Sequence, residues 1–330
     1  MSYNSIDEIF EAFKDLKVLI IGDVMVDAYI WGAVQRISPE APVPIVRAQR
    51  RDYRLGGAAN VALNVQALGA EPILCSLIGN DEGADQFLER LNTREIFDIG
   101  IMRSDSRPTT VKTRVISGNQ HIVRVDEESE AQLSVDEERL LWERIKMLLP
   151  QSQLVIFEDY DKGVLNNSII ENTIELANGL GIPTVVDPKK RNFLNYNGCT
   201  LFKPNLKELK DGLSMDFDEN DPAELELAVD KLIKQLKCES VLLTLSDKGI
   251  HYGSKKNKFS IPAHLREIAD ISGAGDTVIS IAGLAVALGL PANLVAEFSN
   301  LGGGLVCQHQ GVVPVDKQEL LSEIKQKDLL

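Results

Sequence analysis

The chain has 330 residues, enough for one large α/β domain or two modest ones. Its 49 acidic against 35 basic residues give a net charge of −14, which excludes nucleic acid as the main partner, because duplex binding needs a basic face. Apolar residues make up 44%, yet no run of eighteen escapes a charge, so the chain reads as a cytoplasmic globular protein with no membrane partner.

Residues 1–17 are charged and amphipathic, unlike a secretory signal. KVLIIGD (17–23) is a short apolar run ending in Gly-Asp and predicts a buried parallel strand. APVPIVRAQRRDYRLGG (41–57) is proline-rich and then basic, the pattern of extended edge structure. A helix is expected over 56–70, opened by glycines and closed by Gly69, then a strand over 71–79 and a helix over 82–95. Residues 109–126 alternate on both sides of SGNQ, which predicts a hairpin with a four-residue polar turn. The extended segments 28–54 and 109–126 interrupt the strand–helix rhythm and predict a small β-sheet lid on the main domain.

The rhythm resumes with helix 134–149, strand 153–158, helix 167–180, strands 182–187 and 199–202, helix 221–236 and strand 240–245. A hairpin over 249–262 and helices over 274–289, 291–309 and 316–326 complete the reading. Such alternation predicts one α/β domain over 1–330, with a mostly parallel sheet between helical layers. In such sheets ligands lie beyond the carboxyl ends of the strands. The clusters GDVMVD, EDYDKG, DPKKRN, KPNLKE and TLSDKG each follow an apolar run, and so point to one shared crevice.

Cys75, Cys199, Cys238 and Cys307 form no C-x-x-C and read as buried structural thiols. The four histidines lack metal-ligand spacing, so no zinc site is expected. No P-loop, dinucleotide fingerprint or G-x-S-x-G elbow is present.

DISGAGDTVIS (270–280) carries the chemistry. Gly273, Ala274 and Gly275 would open a helix, where backbone amides can approach an anion closely. Asp276, in the first turn, is then placed to take a proton from an attacking hydroxyl during phosphoryl transfer. Asp276 reads equally as a helix cap, a role that contributes about 0.3–1 kcal/mol.

DISGAGDT resembles the C-terminal signature of the ribokinase-like (PfkB-type) carbohydrate kinases. GGAANVALNVQALGA resembles their N-terminal Gly-Gly signature, and KPNLKE their N-x-x-E motif. The resemblance spans roughly residues 16–320. It implies a ribokinase-like three-layer sandwich with a β lid, and Asp276 as catalytic base beside the 273–275 anion hole. It implies ATP and Mg²⁺, with Asn205 and Glu208 tied to Mg²⁺ and phosphate positioning, Glu208 indirectly. Thr244, Ser246 and Gly249 match the loop flanking the nucleotide, and Asn300 falls in the helix lining the adenine pocket. Asp27, Gly56, Gly57 and Asn60 match sugar-hydroxyl positions, and a monovalent cation such as K⁺ is implied near Asp270. Ser272 stands where the family usually has Thr.

RISPEAPVPIV (36–46), KTRVISGNQHIVRVDEE (112–128), DYDKGVL (159–165) and DPKKRNFLNYNG (187–198) are similar to the D-glycero-β-D-manno-heptose 7-phosphate kinases. That similarity implies transfer from ATP to the anomeric 1-hydroxyl, toward ADP-heptose for lipopolysaccharide cores. Many such enzymes carry an adenylyltransferase domain. This chain ends at Leu330, so the expectation is the kinase step alone. Glu158 departs from the small polar residue expected in FEDYDKG.

Within an acidic chain, Arg36, Lys112, Arg114, Arg124, Lys162, Lys189, Lys190 and Arg191 cluster in the lid and strand-end loops, as a sugar phosphate requires. Lys189 is read toward nucleotide phosphates, and Arg114, Arg124 and Lys162 toward the sugar phosphate. Each also reads as a solvated charge. Asp23 reads as a turn residue, Tyr29 and Trp31 as lid packing, and the acidic run 126–138 as a solvated face. The triple glycine 302–304 reads as close helix approach or as room for a purine. Exposed lid edges predict a homodimer. Two alternatives stand beside the leading one: a kinase for another sugar, sugar phosphate or nucleoside, and a catalytically silent sugar-phosphate sensor.

Overall fold

The computed structural model describes residues 3–118, 120–264, 266–327 and 329. Helix α1 (Ile6–Ala12) leads into β1 (Lys17–Gly22), whose side chains alternate between two cores. Val18 and Ile20 enter one, Leu19 and Ile21 the other, so both sheet faces are covered. β2 (Val24–Ile37) runs directly out of β1, and β3 (Pro44–Gly57) returns antiparallel along it. Then come α2 (Ala58–Leu68), β4 (Glu71–Gly79), α3 (Glu82–Thr93) and β5 (Gly100–Ser104). β6 (Thr110–Ser117) and β7 (Gln120–Glu127) complete the second sheet.

The C-terminal part contains α4 (Val135–Leu148), β8 (Leu154–Glu158), α5 (Asn167–Leu180), β9 (Thr184–Asp187) and β10 (Leu201–Phe202). It continues through α6 (Leu206–Leu213), α7 (Pro222–Leu236), β11 (Ser240–Thr244), β12 (Ile250–Ser254) and β13 (Lys258–Ile261). α8 (Ala274–Ala287), α9 (Ala292–Val306) and α10 (Lys317–Lys325) finish the chain.

The large sheet has the order β13-β12-β11-β10-β9-β8-β1-β4-β5, with every strand parallel except β12, which runs antiparallel between β11 and β13. One face packs on α1, α2, α8, α9 and α10, the other on α4, α5, α6 and α7. The lid has the order β3-β2-β6-β7. These are the layers of the ribokinase-like sandwich. β1 lies between β4 and β8, so chain order reverses there, the switch point at which such sheets hold ligands.

Four details differ from the sequence reading. Gly56 and Gly57 end β3, pairing with Met25 and Val24, and of the two only Gly57 also opens α2, as its N-cap. Gly57 has φ +60°, and a Cβ there would meet the Asp23 carbonyl oxygen at 2.4 Å. Ser117 pairs directly with Gln120, which shortens the expected four-residue turn to two, and Asn119 of that turn lies outside the described residues. β5 and α6 were not expected; both are short, and α6 hides behind a capping box that reads as a ligand motif. Cys75, Cys199 and Cys238 are buried, but Cys307 is half-buried.

The triple glycine serves close helix approach. A Cβ on Gly302 would lie 2.0 Å from Ile281 Cδ1, and one on Gly303 would lie 2.6 Å from Val278 Cγ2. Among the described residues no helix is long and apolar enough to cross a membrane.

Candidate active site

The carboxyl ends of β1, β8, β9 and β10 deliver Asp23, Glu158, Asp187 and Lys203 to one edge of the sheet. α8 starts opposite them. Its N-cap, Gly273, sits at φ +81°, a left-handed conformation that a side chain would strain. A Cβ on Gly275 would stand 3.5 Å from Asp187 Oδ2 and 3.6 Å from Lys203 Nζ, so this helix mouth faces the strand ends. The Ala274 amide already donates to the Ile271 carbonyl at 3.3 Å. The anion-binding capacity of the mouth therefore rests on the Gly275 and Asp276 amides, which precede the first intrahelical bond, Thr277 N–H to Gly273.

Asp276 is buried, and each of its oxygens is held. Asn60 Nδ2 donates to Oδ2 at 2.7 Å, and the Tyr160 hydroxyl donates to Oδ1 at 3.0 Å. One turn along α2, Asn64 accepts from Thr277 Oγ1 at 3.0 Å and from the Val315 amide at 3.0 Å. The two asparagines thus stitch α2 to the first turn of α8 at i, i+4 spacing. Burial pushes the Asp276 carboxyl upward, opposed by the bond from Asn60; Asp187 raises it further, and the Tyr160 hydroxyl and Lys203 lower it. A buried carboxylate with two fixed donors and free lone pairs is an oriented proton acceptor. A simple helix cap would not need partners from α2 and from the loop after β8.

Lys203 is buried and pairs with Asp187 Oδ2 at 2.7 Å. Lys189 Nζ lies 2.9 Å from Glu208 Oε1 and 3.9 Å from Asp187 Oδ1. Glu208 Oε2 accepts from the Asn205 amide at 2.8 Å, and Asn205 Oδ1 accepts from the Glu208 amide at 2.9 Å. Thr244 donates its amide to the Pro204 carbonyl and bridges Asn205. Ser246 and Gly249 turn the next loop with φ of +56° and +94°. Asn300 Nδ2 donates to the Pro262 carbonyl at 2.9 Å. Asp270 accepts from the Ser272 and Gly311 amides, which hold its carboxyl below the usual range against the raising effect of burial.

In the lid, Arg114 pairs with the buried Asp27, and a Cβ on Gly56 would press on Asp27 Oδ2 at 2.3 Å. The Arg114 guanidinium also lies 5.4 Å from the Tyr29 ring centroid, and Tyr29 stacks on Trp31. The expected basic cluster is not bare. Lys162 is engaged by Glu128 at 2.8 Å and Glu130 at 3.3 Å, Lys112 by Glu128, and Arg124, largely exposed, by Asp126. The acidic run read as solvated supplies these partners, and its Glu137 closes a capping box on Ser134. Asp23 does serve turn amides, those of Tyr160, Lys162 and Val164.

Sequence reasoning missed Asp187, Lys203 and Tyr160. The clusters DPKKRN, KPNLKE and EDYDKG that hold them were read as lining one crevice, without these residues being singled out. Glu158, noted only as a departure, is fully buried, and among the described residues neither of its oxygens has a hydrogen-bond partner. One oxygen each from Glu158, Asp187 and Asp276 lies within 4.8 Å of the others, a set of hard oxygen donors that fits Mg²⁺ chemistry. Glu208, by contrast, spends both oxygens on protein donors, consistent with an indirect role.

Residues 15–318 match the pfkB family carbohydrate kinase model, and the chain belongs to that family. It is 36% identical over 318 residues to a bifunctional protein HldE of Desulfatibacillum aliphaticivorans, covering 96% of this chain and 65% of that protein. It is 38% identical over 311 residues to the bifunctional protein HldE of Koribacter versatilis, covering 94% of this chain and 63% of that one. The chain thus spans slightly less than two thirds of these curated relatives. Among solved structures it is similar to phosphofructokinase-2 from Escherichia coli in complex with potassium, with a TM-score of 0.76, 17% identity, and 94% and 99% of the two chains covered. Arabidopsis thaliana ribokinase complexed with ribose and ATP gives a TM-score of 0.72 at 17% identity, with 93% and 98% covered. These likenesses confirm the fold.

Proposed function

We propose that this carbohydrate kinase transfers the γ-phosphoryl group of ATP to the anomeric 1-hydroxyl of D-glycero-β-D-manno-heptose 7-phosphate, a step toward ADP-heptose. The observation that carries the transfer chemistry is Asp276, buried at the mouth of α8 with both oxygens oriented by Asn60 and Tyr160. The heptose acceptor is supported by the segments 36–46, 112–128, 159–165 and 187–198, and by the 36% identity to an HldE protein.

Asp276 takes the proton of the 1-hydroxyl as that oxygen bonds to the γ-phosphorus. The bond from phosphorus to the β–γ bridging oxygen breaks, and ADP carries away the electron pair. The Gly275 and Asp276 amides and the Lys189 and Lys203 side chains stabilise charge on the transferring group. Mg²⁺, when bound with the nucleotide, neutralises phosphate charge. Arg114 and Asp27 orient the sugar end, and Thr244, Ser246, Gly249 and Asn300 border the nucleotide. Folding the lid over the sugar excludes water and limits hydrolysis. Val123 and Val125 on the edge strand β7 are about half exposed and give that edge an apolar face that supports a homodimer through this sheet.

The test is ADP release with ATP and Mg²⁺ over a panel of heptose 7-phosphate, fructose 6-phosphate, ribose and adenosine. The heptose phosphate should exceed every other acceptor at least hundred-fold in kcat/KM. Preference for another acceptor would keep the kinase and overturn the heptose reading. Saturable binding without turnover would favour the sensor.

A further inference from the structure

We infer that Glu158 gives this chain a divalent-cation site that fills without nucleotide, formed by Glu158 on β8, Asp187 on β9 and Asp276 on α8. The inference does not depend on which sugar is the acceptor.

Both Glu158 oxygens are buried without a hydrogen-bond partner. An unpaired buried carboxylate is among the costliest groups a fold can hold, unless a cation or a proton compensates it. Among the described residues no protein donor reaches either Glu158 oxygen, so the fold itself supplies no compensation. A cation reaches further. Metal–oxygen bonds of about 2.0–2.6 Å let one ion join oxygens well beyond hydrogen-bond range, and the three carboxylates each offer one within 4.8 Å of the others.

The charge balance favours the same answer. Lys203 binds Asp187 Oδ2, while Lys189 divides itself between Asp187 Oδ1 and the much nearer Glu208. Neither lysine bonds Glu158. Asp276 has one donor per oxygen, leaving a lone pair on each for an ion. The donor set is all oxygen, which selects Mg²⁺, Mn²⁺ or Ca²⁺ over softer ions.

The experiment titrates the full chain with Mn²⁺ in the absence of nucleotide and sugar, read by electron paramagnetic resonance and by the melting temperature. Wild type should bind one Mn²⁺ per chain and melt at higher temperature when it does. Glu158→Ser and Asp187→Asn should each weaken binding at least ten-fold, and Asp136→Asn, exposed on α4 and outside the cluster, should change it less than two-fold. Glu158→Ser loses a buried charge and should melt no lower than metal-free wild type, so misfolding does not confound it. No stoichiometric Mn²⁺ on wild type, or wild-type affinity in Glu158→Ser, would overturn the proposal. Either result leaves the kinase reading to its own assay.

Discussion

Asn60 and Asp276, 216 residues apart in sequence, meet in a buried 2.7 Å hydrogen bond between the amide of α2 and the carboxylate at the start of α8. The bond fixes one oxygen of the carboxylate and opposes the upward push of burial on it. Asn60→Ala should therefore lower kcat by roughly ten- to hundred-fold through misplacement of the base. It should also raise the Asp276 pKa further, so the acid limb of the kcat–pH profile moves to higher pH. A kcat loss with an unmoved limb would make Asn60 merely a packing residue.

Asp159 predicts a pH dependence of stability. Burial and the facing Asp23 raise its carboxyl to about 6, against the bonds from Asn192, the Asp161 amide and Tyr196. The folded state therefore holds a proton that the unfolded chain has lost above its ordinary value of 3.8. The contribution is fully present below that value and is lost as pH rises through about 6. Asp159→Asn should remove this component, so wild type minus variant, measured by urea unfolding, should fall by about 2 kcal/mol between pH 4 and 7. A flat difference would contradict the assignment.

The lid separates two arginines that the sequence could not rank. Arg114 pairs with the buried Asp27, whereas the largely exposed Arg124 pairs with Asp126. Arg114→Ala should raise KM for the sugar phosphate about ten-fold or more, because a buried ion pair is broken and its acid left alone. Arg124→Ala should change KM less than about two-fold. Equal effects would place the phosphate along the outer edge of the lid.

The proposed homodimer is tested at the exposed edge of β7. A Val123→Glu, Val125→Glu double variant should convert a dimer to a monomer in sedimentation while leaving the far-ultraviolet spectrum unchanged. A wild-type chain that sediments as a monomer, or a variant that stays dimeric, would remove the lid from the interface.

Much of the architecture is legible because it follows from local patterns. KVLIIGD is apolar without alternation from Val18 to Ile21, which only a strand covered on both faces tolerates. The lid is legible from alternation at 109–126 and from proline and arginine at 41–57. α6 is illegible because Asn205 and Glu208 spend their signal on a capping box as well as on a ligand motif. β5 is illegible because five residues carry too little period to separate strand from loop.

The site divides the same way. Asp276, Gly273 and Gly275 are legible because a run of small residues before a buried helix has few other uses. The pairing of Lys112, Arg114, Arg124 and Lys162 is not, because it depends on which carboxylates the fold returns to them. Glu128 reaches both Lys112 and Lys162 only once β7 lies beside β6 and the loop after β8. The cluster of Glu158, Asp187 and Asp276 joins three segments far apart in sequence, and only the register of β8 beside β9 makes them neighbours.

The most direct test of the account is ADP formation by wild type and Asp276→Asn with heptose 7-phosphate, ATP and Mg²⁺. The substitution keeps the shape and removes the base. The account predicts a fall in kcat of about 10²–10⁴-fold, with KM for the sugar changed little. Turnover within three-fold of wild type would contradict it and return Asp276 to the role of a helix cap.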